Sequence, residues 1–183
     1  MEIKHRSQLV DLMRHFNLPL AAVEIGVAEG LFTRDLLSYG LLKLYSVDAW
    51  RQLDQKGDGG SNQEWHDENY KNVLKLTESF GDKSCILVGL SHEMADNVPN
   101  NSLGLVYIDG DHSYDGVMRD IGYWYPKLVS GGIMAFHDYE MPQYGVKQAV
   151  TEFCRLFGLE VHLIPELAVE NAGAWFQKQI TRP

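Results

Sequence analysis

Apolar residues recur along this chain in two alternating rhythms. Leu9, Leu12, Met13 and Phe16 fall at helical spacing over residues 8–16, and Pro19 ends that stripe. The run LAAVEIG (20–26) is short and almost wholly apolar, as a strand buried on both faces must be. LFTRDLLSY (31–39) reads as a helix stopped by Gly40, and KLYSVDAW (43–50) as the next strand. Residues 51–63 break both rhythms, being polar and rich in Gly, Asp and Gln, which suits a loop acting as a lid. A helix over about 64–79 stops at Gly81. SCILVGL (84–90) and SLGLVYIDG (102–110) are the third and fourth strands. Val117, Ile121, Trp124 and Leu128 mark a helix face within 113–128, and GGIMAFHD (131–138) is a fifth strand. Val146, Val150, Phe153 and Phe157 mark the last long helix, and LEVHLIP (159–165) and GAWFQKQI (173–180) close the chain as strands.

Strands alternating with helices imply an α/β fold with parallel strands and crossover helices, a doubly wound and mostly parallel seven-stranded sheet. No helix separates the last two strands, so they pair antiparallel at one edge. The 183 residues suit one domain spanning 1–183, and no repeat, low-complexity tract or linker divides them. In such sheets ligands bind at the carboxyl ends of the strands. The polar clusters of this chain fall at those ends.

Charge narrows the partners. A net charge of −9, with Lys and Arg scattered, argues against a nucleic-acid partner and against docking on an anionic membrane. The start MEIKHRSQLVDLM lacks the apolar core of a signal peptide, and no run is long enough to span a bilayer. Cys85 and Cys154 both fall on apolar faces, expected buried and reduced, so the cytoplasm is the expected compartment.

Three strand ends carry the pieces of a nucleoside site. VEIGVAEG sets Gly26 where the backbone turns and Gly30 where the next helix begins, with Glu24 just before the turn. The spacing is G-x-x-x-G rather than G-x-G-x-x-G, and an anion at Glu24 repels a diphosphate, so a cationic or amine-bearing ligand fits better. Asp48 ends the second strand, where an acid accepts hydrogen bonds from ribose hydroxyls. In VGLSHE, Gly89 leaves room, and Ser91 and His92 can bond to a base edge. Two more clusters follow: VYIDGDHSYDG (106–116), with Asp109, Asp111 and His112, and the end of the fifth strand, with His137 and Asp138. Bland roles compete for some of these residues. Asp109 and Asp111 suit turn hydrogen bonds, Ser113 a helix cap and Asp115 a first-turn acid. Tyr114, Trp124 and Tyr125 suit the core.

VEIGVAEG, YSVDAW and VGLSHE together resemble the first motif, the ribose acid and the adenine-side loop of the class I S-adenosylmethionine-dependent methyltransferases. The resemblance covers roughly residues 20–180 and is strongest to small-molecule O-methyltransferases of the catechol and caffeoyl-CoA type, and to bacterial relatives that methylate sugars and natural products. It implies a Rossmann-like methyltransferase fold with S-adenosylmethionine as cofactor, Glu24, Gly26 and Gly30 near its methionine part, Asp48 at the ribose, and Gly89, Ser91 and His92 at adenine. Asp109 matches the metal-binding acid that ends the fourth strand, facing the cofactor, and His137 and Asp138 match the pair that ends the fifth. A divalent ion (magnesium, manganese or iron) is therefore implied. His137 is a departure, since those relatives commonly place an oxygen ligand there, and a nitrogen ligand tilts preference toward a transition ion.

His112 matches the catalytic lysine of those enzymes and is the expected general base, with Asp111 contacting substrate or orienting it. The implied acceptor is a small molecule, a sugar or a phenolic diol. Its pocket falls at 50–70 and 139–146, with Trp50, Trp65, His66 and Tyr70 as candidate lining. The short N-terminal helix leaves part of the cleft uncovered, for a homodimer partner or the 51–63 loop to close. Two other readings share the sheet: a nicotinamide-dinucleotide oxidoreductase and a non-catalytic binding domain.

Overall fold

In the computed structural model, strands β1 (Ala21–Ile25), β2 (Lys43–Asp48), β3 (Ser84–Val88), β4 (Leu103–Ile108) and β5 (Leu128–Phe136) all run parallel. With β6 (His162–Ile164) and β7 (Gly173–Gln177) they form one sheet in the order β3-β2-β1-β4-β5-β7-β6. β7 pairs antiparallel with both β5 and β6, so it slots between them and alone runs against the rest. The residues described are 1–53, 62–165 and 172–180.

Helices cover both faces. α1 (Leu9–His15) follows a 3-10 turn at Arg6–Gln8, and with α2 (Leu31–Ser38) it packs Leu9, Leu12, Met13, Phe32 and Leu36 against Ala22, Leu44, Leu105 and Tyr107. The opposite face takes α5 (Tyr114–Trp124) and α6 (Val146–Phe157). Val117, Ile121, Trp124, Val150 and Phe153 meet Val23, Ile25, Val106, Ile108, Met134 and Phe136 there. Successive strand residues thus serve opposite layers, and burying each large aliphatic side chain stabilises the fold by about 1.5–3 kcal/mol. β4 is buried at every position, which is why its sequence shows no alternation. α3 (Gln63–Thr77) starts at Asn62, whose side chain accepts the Trp65 N–H.

The pattern erred in two places. The helix expected over 113–128 ends at Trp124, because Pro126 sits in a 3-10 turn at Tyr125–Lys127 that hands the chain to β5 at Leu128. α4 (Ser91–Met94), a single turn, falls where the pattern predicts a loop, because four residues carry no period. Of the lid expected at 51–63, residues 54–61 lie outside those described. Cys85 and Cys154 are free thiols. Among the described residues no helix is long and apolar enough to cross a membrane.

The sheet itself aligns the strand ends. Its hydrogen bonding continues past the ends of the strands: Gly26 N donates to Val47 O, Gly89 N to Asp48 O, Asp109 N to Ile25 O and His137 N to Ile108 O, all at 2.8–3.0 Å. The strand-end residues are therefore set side by side by backbone geometry before any side chain acts.

Candidate active site

The cleft over these strand ends encloses about 690 Å³, within the range of small-molecule sites. At β1, Gly26 has φ +84, and a Cβ there would lie 2.1 Å from the Asp109 carbonyl oxygen, so the closeness of the β1 and β4 turns demands glycine. Gly30 answers a different need. Its Cβ would meet the Val73 side chain of α3 at 2.7 Å, which makes it a packing glycine at the start of α2 rather than part of the cleft wall.

Asp48 is held by backbone. Its Oδ2 accepts from Val27 N at 2.8 Å and Ala28 N at 3.0 Å, and its Oδ1 from Trp50 N at 2.7 Å. The carboxylate clamps the turn after β1 while lining the cleft. Glu24 is buried on the α2 side of the sheet, where the Thr33 hydroxyl donates to it, and it does not line the cleft. Burial pushes its pKa up to about 8, against the Thr33 hydrogen bond and with help from the charge of Asp109. The sequence signals a lone acid in an apolar strand. It does not show that the acid faces the helix layer.

Gly89, Ser91 and His92 all line the cleft beside β3. The Ser91 hydroxyl oxygen accepts from Trp124 Nε1 at 2.7 Å, and His92 leans on Tyr123 with centroids 5.9 Å apart. Asp120 of α5, which the sequence reading passed over, lies beside Ser91 and also lines the cleft.

The turns after β4 and β5 bring two acids and two imidazoles together. His112 Nε2 lies 3.3 Å from Asp109 Oδ1 and 3.3 Å from Asp138 Oδ2. His137 Nδ1 lies 3.3 Å from Asp109 Oδ1 and 3.0 Å from Asp138 Oδ1. One ligand atom each from Asp109, His137 and Asp138 falls within 4.8 Å of the others. Asp138 adopts φ +51, a left-handed conformation that Asp tolerates better than most residues.

The charges explain the arrangement. Burial works against a charged His137 ring, but hydrogen bonds to Asp109 and Asp138 outweigh it and lift its pKa to about 9. Burial would raise the Asp109 pKa, yet the bonds from His112 and His137 prevail and hold its carboxyl below the usual range. A protonated His137 thus offsets one of the two carboxylate charges, and a divalent cation on the same atoms would release that proton. Two carboxylates and an imidazole nitrogen are a donor set that fits such an ion, with manganese or iron favoured over calcium.

Residues distant in sequence brace this cluster. The Tyr144 ring stacks on His112, with centroids 4.5 Å apart and planes at 13°, and Gly145 N donates to His112 O at 2.8 Å. Arg6 comes in from the N-terminal turn, 3.7 Å from Asp109 Oδ2 and 3.3 Å from the Tyr107 hydroxyl, with its guanidinium over Phe32. Neither Arg6 nor Tyr144 carries a local signal; only the topology joins them to the site. Asp111 turns to the start of α5, where its Oδ1 accepts from Ser113 N at 2.9 Å and its Oδ2 from Arg119 at 3.2 Å. Ser113 caps α5 by accepting from Gly116 N. Trp65 and His66 line the cleft, whereas Trp50 and Tyr70 pack on each other with Val27 and Val73.

A family model described as a methyltransferase domain matches residues 23–139, from β1 to just beyond Asp138. The chain is 27% identical over 138 residues to y4gI, an uncharacterized protein of Sinorhizobium fredii; the match spans 75% of this chain and only 14% of that protein. Among solved structures it is similar to the O-methyltransferase NovP, with a TM-score of 0.68 and 22% identity over 94% of this chain and 77% of that one. It is also similar to the O-methyltransferase TomG of Streptomyces achromogenes, involved in tomaymycin synthesis and solved with SAM (TM-score 0.67, 10% identity, 95% and 79% covered). An O-methyltransferase of Bacillus cereus in complex with SAH aligns with a TM-score of 0.64 and 12% identity over 94% and 79%. At these identities the structures show a shared fold, an α/β methyltransferase sheet with its antiparallel strand.

Proposed function

The chain belongs to the methyltransferase-domain family, and from that premise we propose that it transfers a methyl group from S-adenosylmethionine to a hydroxyl of a small molecule, a sugar or a phenolic diol. The observation that carries this reading is the convergence of Asp109, His112, His137 and Asp138, a cluster whose Asp109 and His112 line the same cleft as Asp48, Ser91 and His92. The SAM- and SAH-bound structures of similar fold support the cofactor class, and their descriptions as O-methyltransferases support an oxygen acceptor.

S-adenosylmethionine supplies an electrophilic methyl on a sulfonium, which leaves by in-line displacement. Gly26 and Gly89 keep backbone close beneath the nucleoside, and Asp48, already fixed by three N–H donors, presents its remaining lone pairs to the ribose. Glu24 and Gly30 act from beneath, keeping β1 and α2 in place around the methionine part. Asp109, His137 and Asp138 would hold a divalent ion, magnesium, manganese or iron, which supplies Lewis acidity to a chelated diol. His112 takes the acceptor proton at Nε2, the nitrogen on the cluster side, and Tyr144 fixes its ring plane. Asp111 orients the His112 turn from the backbone of Ser113.

Calorimetric titration with S-adenosylhomocysteine, with and without manganese after chelator treatment, tests the site. Methyl transfer from labelled S-adenosylmethionine to catechol and to a vicinal sugar diol tests the acceptor. Micromolar binding and metal-dependent label transfer are expected. No binding under any condition would overturn the reading.

A further inference from the structure

We propose that Arg6 is a positioning residue for the metal site. By engaging Asp109 Oδ2, it leaves that acid only Oδ1 for a divalent ion, which keeps places open on the ion for both oxygens of a diol. The proposal rests on the reading of the β4–β5 cluster as a divalent-ion site beside the acceptor. Arg6 lies before the span 23–139 that the methyltransferase-domain model matches, so that match assigns it no part.

The two oxygens of Asp109 face different partners. Oδ1 is turned to the imidazoles, 3.3 Å from His112 Nε2 and 3.3 Å from His137 Nδ1. Oδ2 faces Arg6 Nη1 at 3.7 Å, an ion pair too long to be a hydrogen bond. The guanidinium is preset there. It donates to the Tyr107 hydroxyl at 3.3 Å and lies over the Phe32 ring, 4.7 Å from its centroid. Tyr107 lies two residues before Asp109 in the chain, and one guanidinium spans both.

A cation beside a metal ligand calls for a reason, since it repels the ion it sits next to. Anchoring the N-terminal turn does not supply one, because Ile3 and Leu9 already bury the apolar side of that segment. Glu24 does not supply one either: it takes a hydrogen bond from Thr33, and burial favours its protonated form. What the guanidinium does govern is how Asp109 can grip an ion. A carboxylate with both oxygens free can close on a cation through the pair of them. With Oδ2 engaged, Asp109 offers a single atom, as His137 and Asp138 do in the cluster. A manganese or magnesium ion takes about six ligand atoms. One atom from each of Asp109, His137 and Asp138 leaves room for a chelated diol, and a second from Asp109 would crowd it.

The test loads the full chain with manganese. Calorimetry reads the ion's affinity, and solvent proton relaxation reads its bound water, before and after adding 4-nitrocatechol. The unaltered chain is expected to hold about three exchangeable waters on the ion and to lose about two of them to the diol. Arg6→Met keeps an apolar stem over Phe32 but releases Oδ2. It is expected to bind manganese about three- to tenfold tighter, with about one water fewer, and 4-nitrocatechol on the order of tenfold more weakly. Arg6→Lys, which keeps a charge near Oδ2, should restore part of the diol affinity. A residue that merely braced the fold would weaken both ligands together. Equal or weaker manganese binding by a folded Arg6→Met would overturn the proposal. So would about two waters on the unaltered chain's ion, and that arm needs no variant to fold. Failure of the unaltered chain to bind manganese at all would overturn the metal reading, and this proposal with it.

Discussion

Neighbouring strand ends of the sheet handle their acids in opposite ways. At the β1–β2 end, Asp48 accepts three backbone N–H groups, and Glu24 is sealed under α2 with Thr33. At the β4–β5 end, Asp109 and Asp138 face each other through two imidazoles. The first arrangement is complete without a ligand and shapes the backbone on which a nucleoside would lie. The second holds like charges together with a proton on His137 and the Arg6 guanidinium beside Asp109. Charge gathered against its own repulsion, and balanced by a proton that a cation can displace, is what a binding site requires and a turn does not. Similar acids at neighbouring strand ends therefore carry different meanings, decided by what their oxygens already touch.

This contrast can be broken most severely at the β4–β5 end. His137→Ala removes one of three converging ligand atoms and is expected to weaken manganese binding on the order of 100-fold or more, read by calorimetry or by the electron spin resonance of the free ion. The next effect belongs to the other end. Asp48→Ala strands three backbone donors at once and is expected to cost about 3 kcal/mol, lowering the Tm by roughly 6–10 °C. Manganese affinity in that variant should stay within about threefold of the parent's. If Asp48→Ala instead left the Tm unmoved, the clamp at the β1–β2 end would not be structural, and the contrast would fail.

Much of this was legible beforehand. The seven strands and the antiparallel end came from runs such as SLGLVYIDG and from the lack of a helical pattern between the last two apolar runs, because burial on both faces leaves an unmistakable apolar block. The acid–histidine clusters were legible because charged residues directly behind a buried strand have few reasons to be there. What escaped were properties of depth and direction. Glu24 reads as a cleft acid until the pleat turns it toward Thr33, and Asp111 as a partner of His112 until Arg119 takes it. Arg6 lies 103 positions before Asp109, and no local pattern ties a polar N-terminal turn to the fourth strand. Asp120 looks like an ordinary helix acid; its burial shows only when α5 packs down.

Glu24 offers a test with a definite sign. Its folded pKa of about 8 lies above the ordinary 4.5, so between those values the folded chain keeps a proton that the unfolded chain has released. Stability from this group is therefore present at low pH and falls as pH rises through that window. Glu24→Gln cannot ionise and keeps an oxygen for the Thr33 hydroxyl. Its Tm should converge with the parent's toward pH 4.5 and exceed it by a growing margin as pH rises to 8.5, measured by thermal melts across the range. A constant offset at every pH would mean that Glu24 is already ionised in the folded chain.

The smallest effect sharpens the β4–β5 end from outside the charges. Tyr144 stacks on His112 almost in parallel, from a segment that also donates Gly145 N to the His112 carbonyl. Its ring therefore sets the imidazole plane while its backbone neighbour sets the turn. Tyr144→Phe preserves the stacking face and should melt within about 1 °C of the parent, whereas Tyr144→Ala should lose about 1 kcal/mol, or 2–4 °C. Manganese binding should barely change in either variant, since the ligand atoms of Asp109, His137 and Asp138 do not depend on that ring. A loss of affinity in Tyr144→Ala as large as that in His137→Ala would show that His112 is itself part of the metal's grip, and would move the base elsewhere.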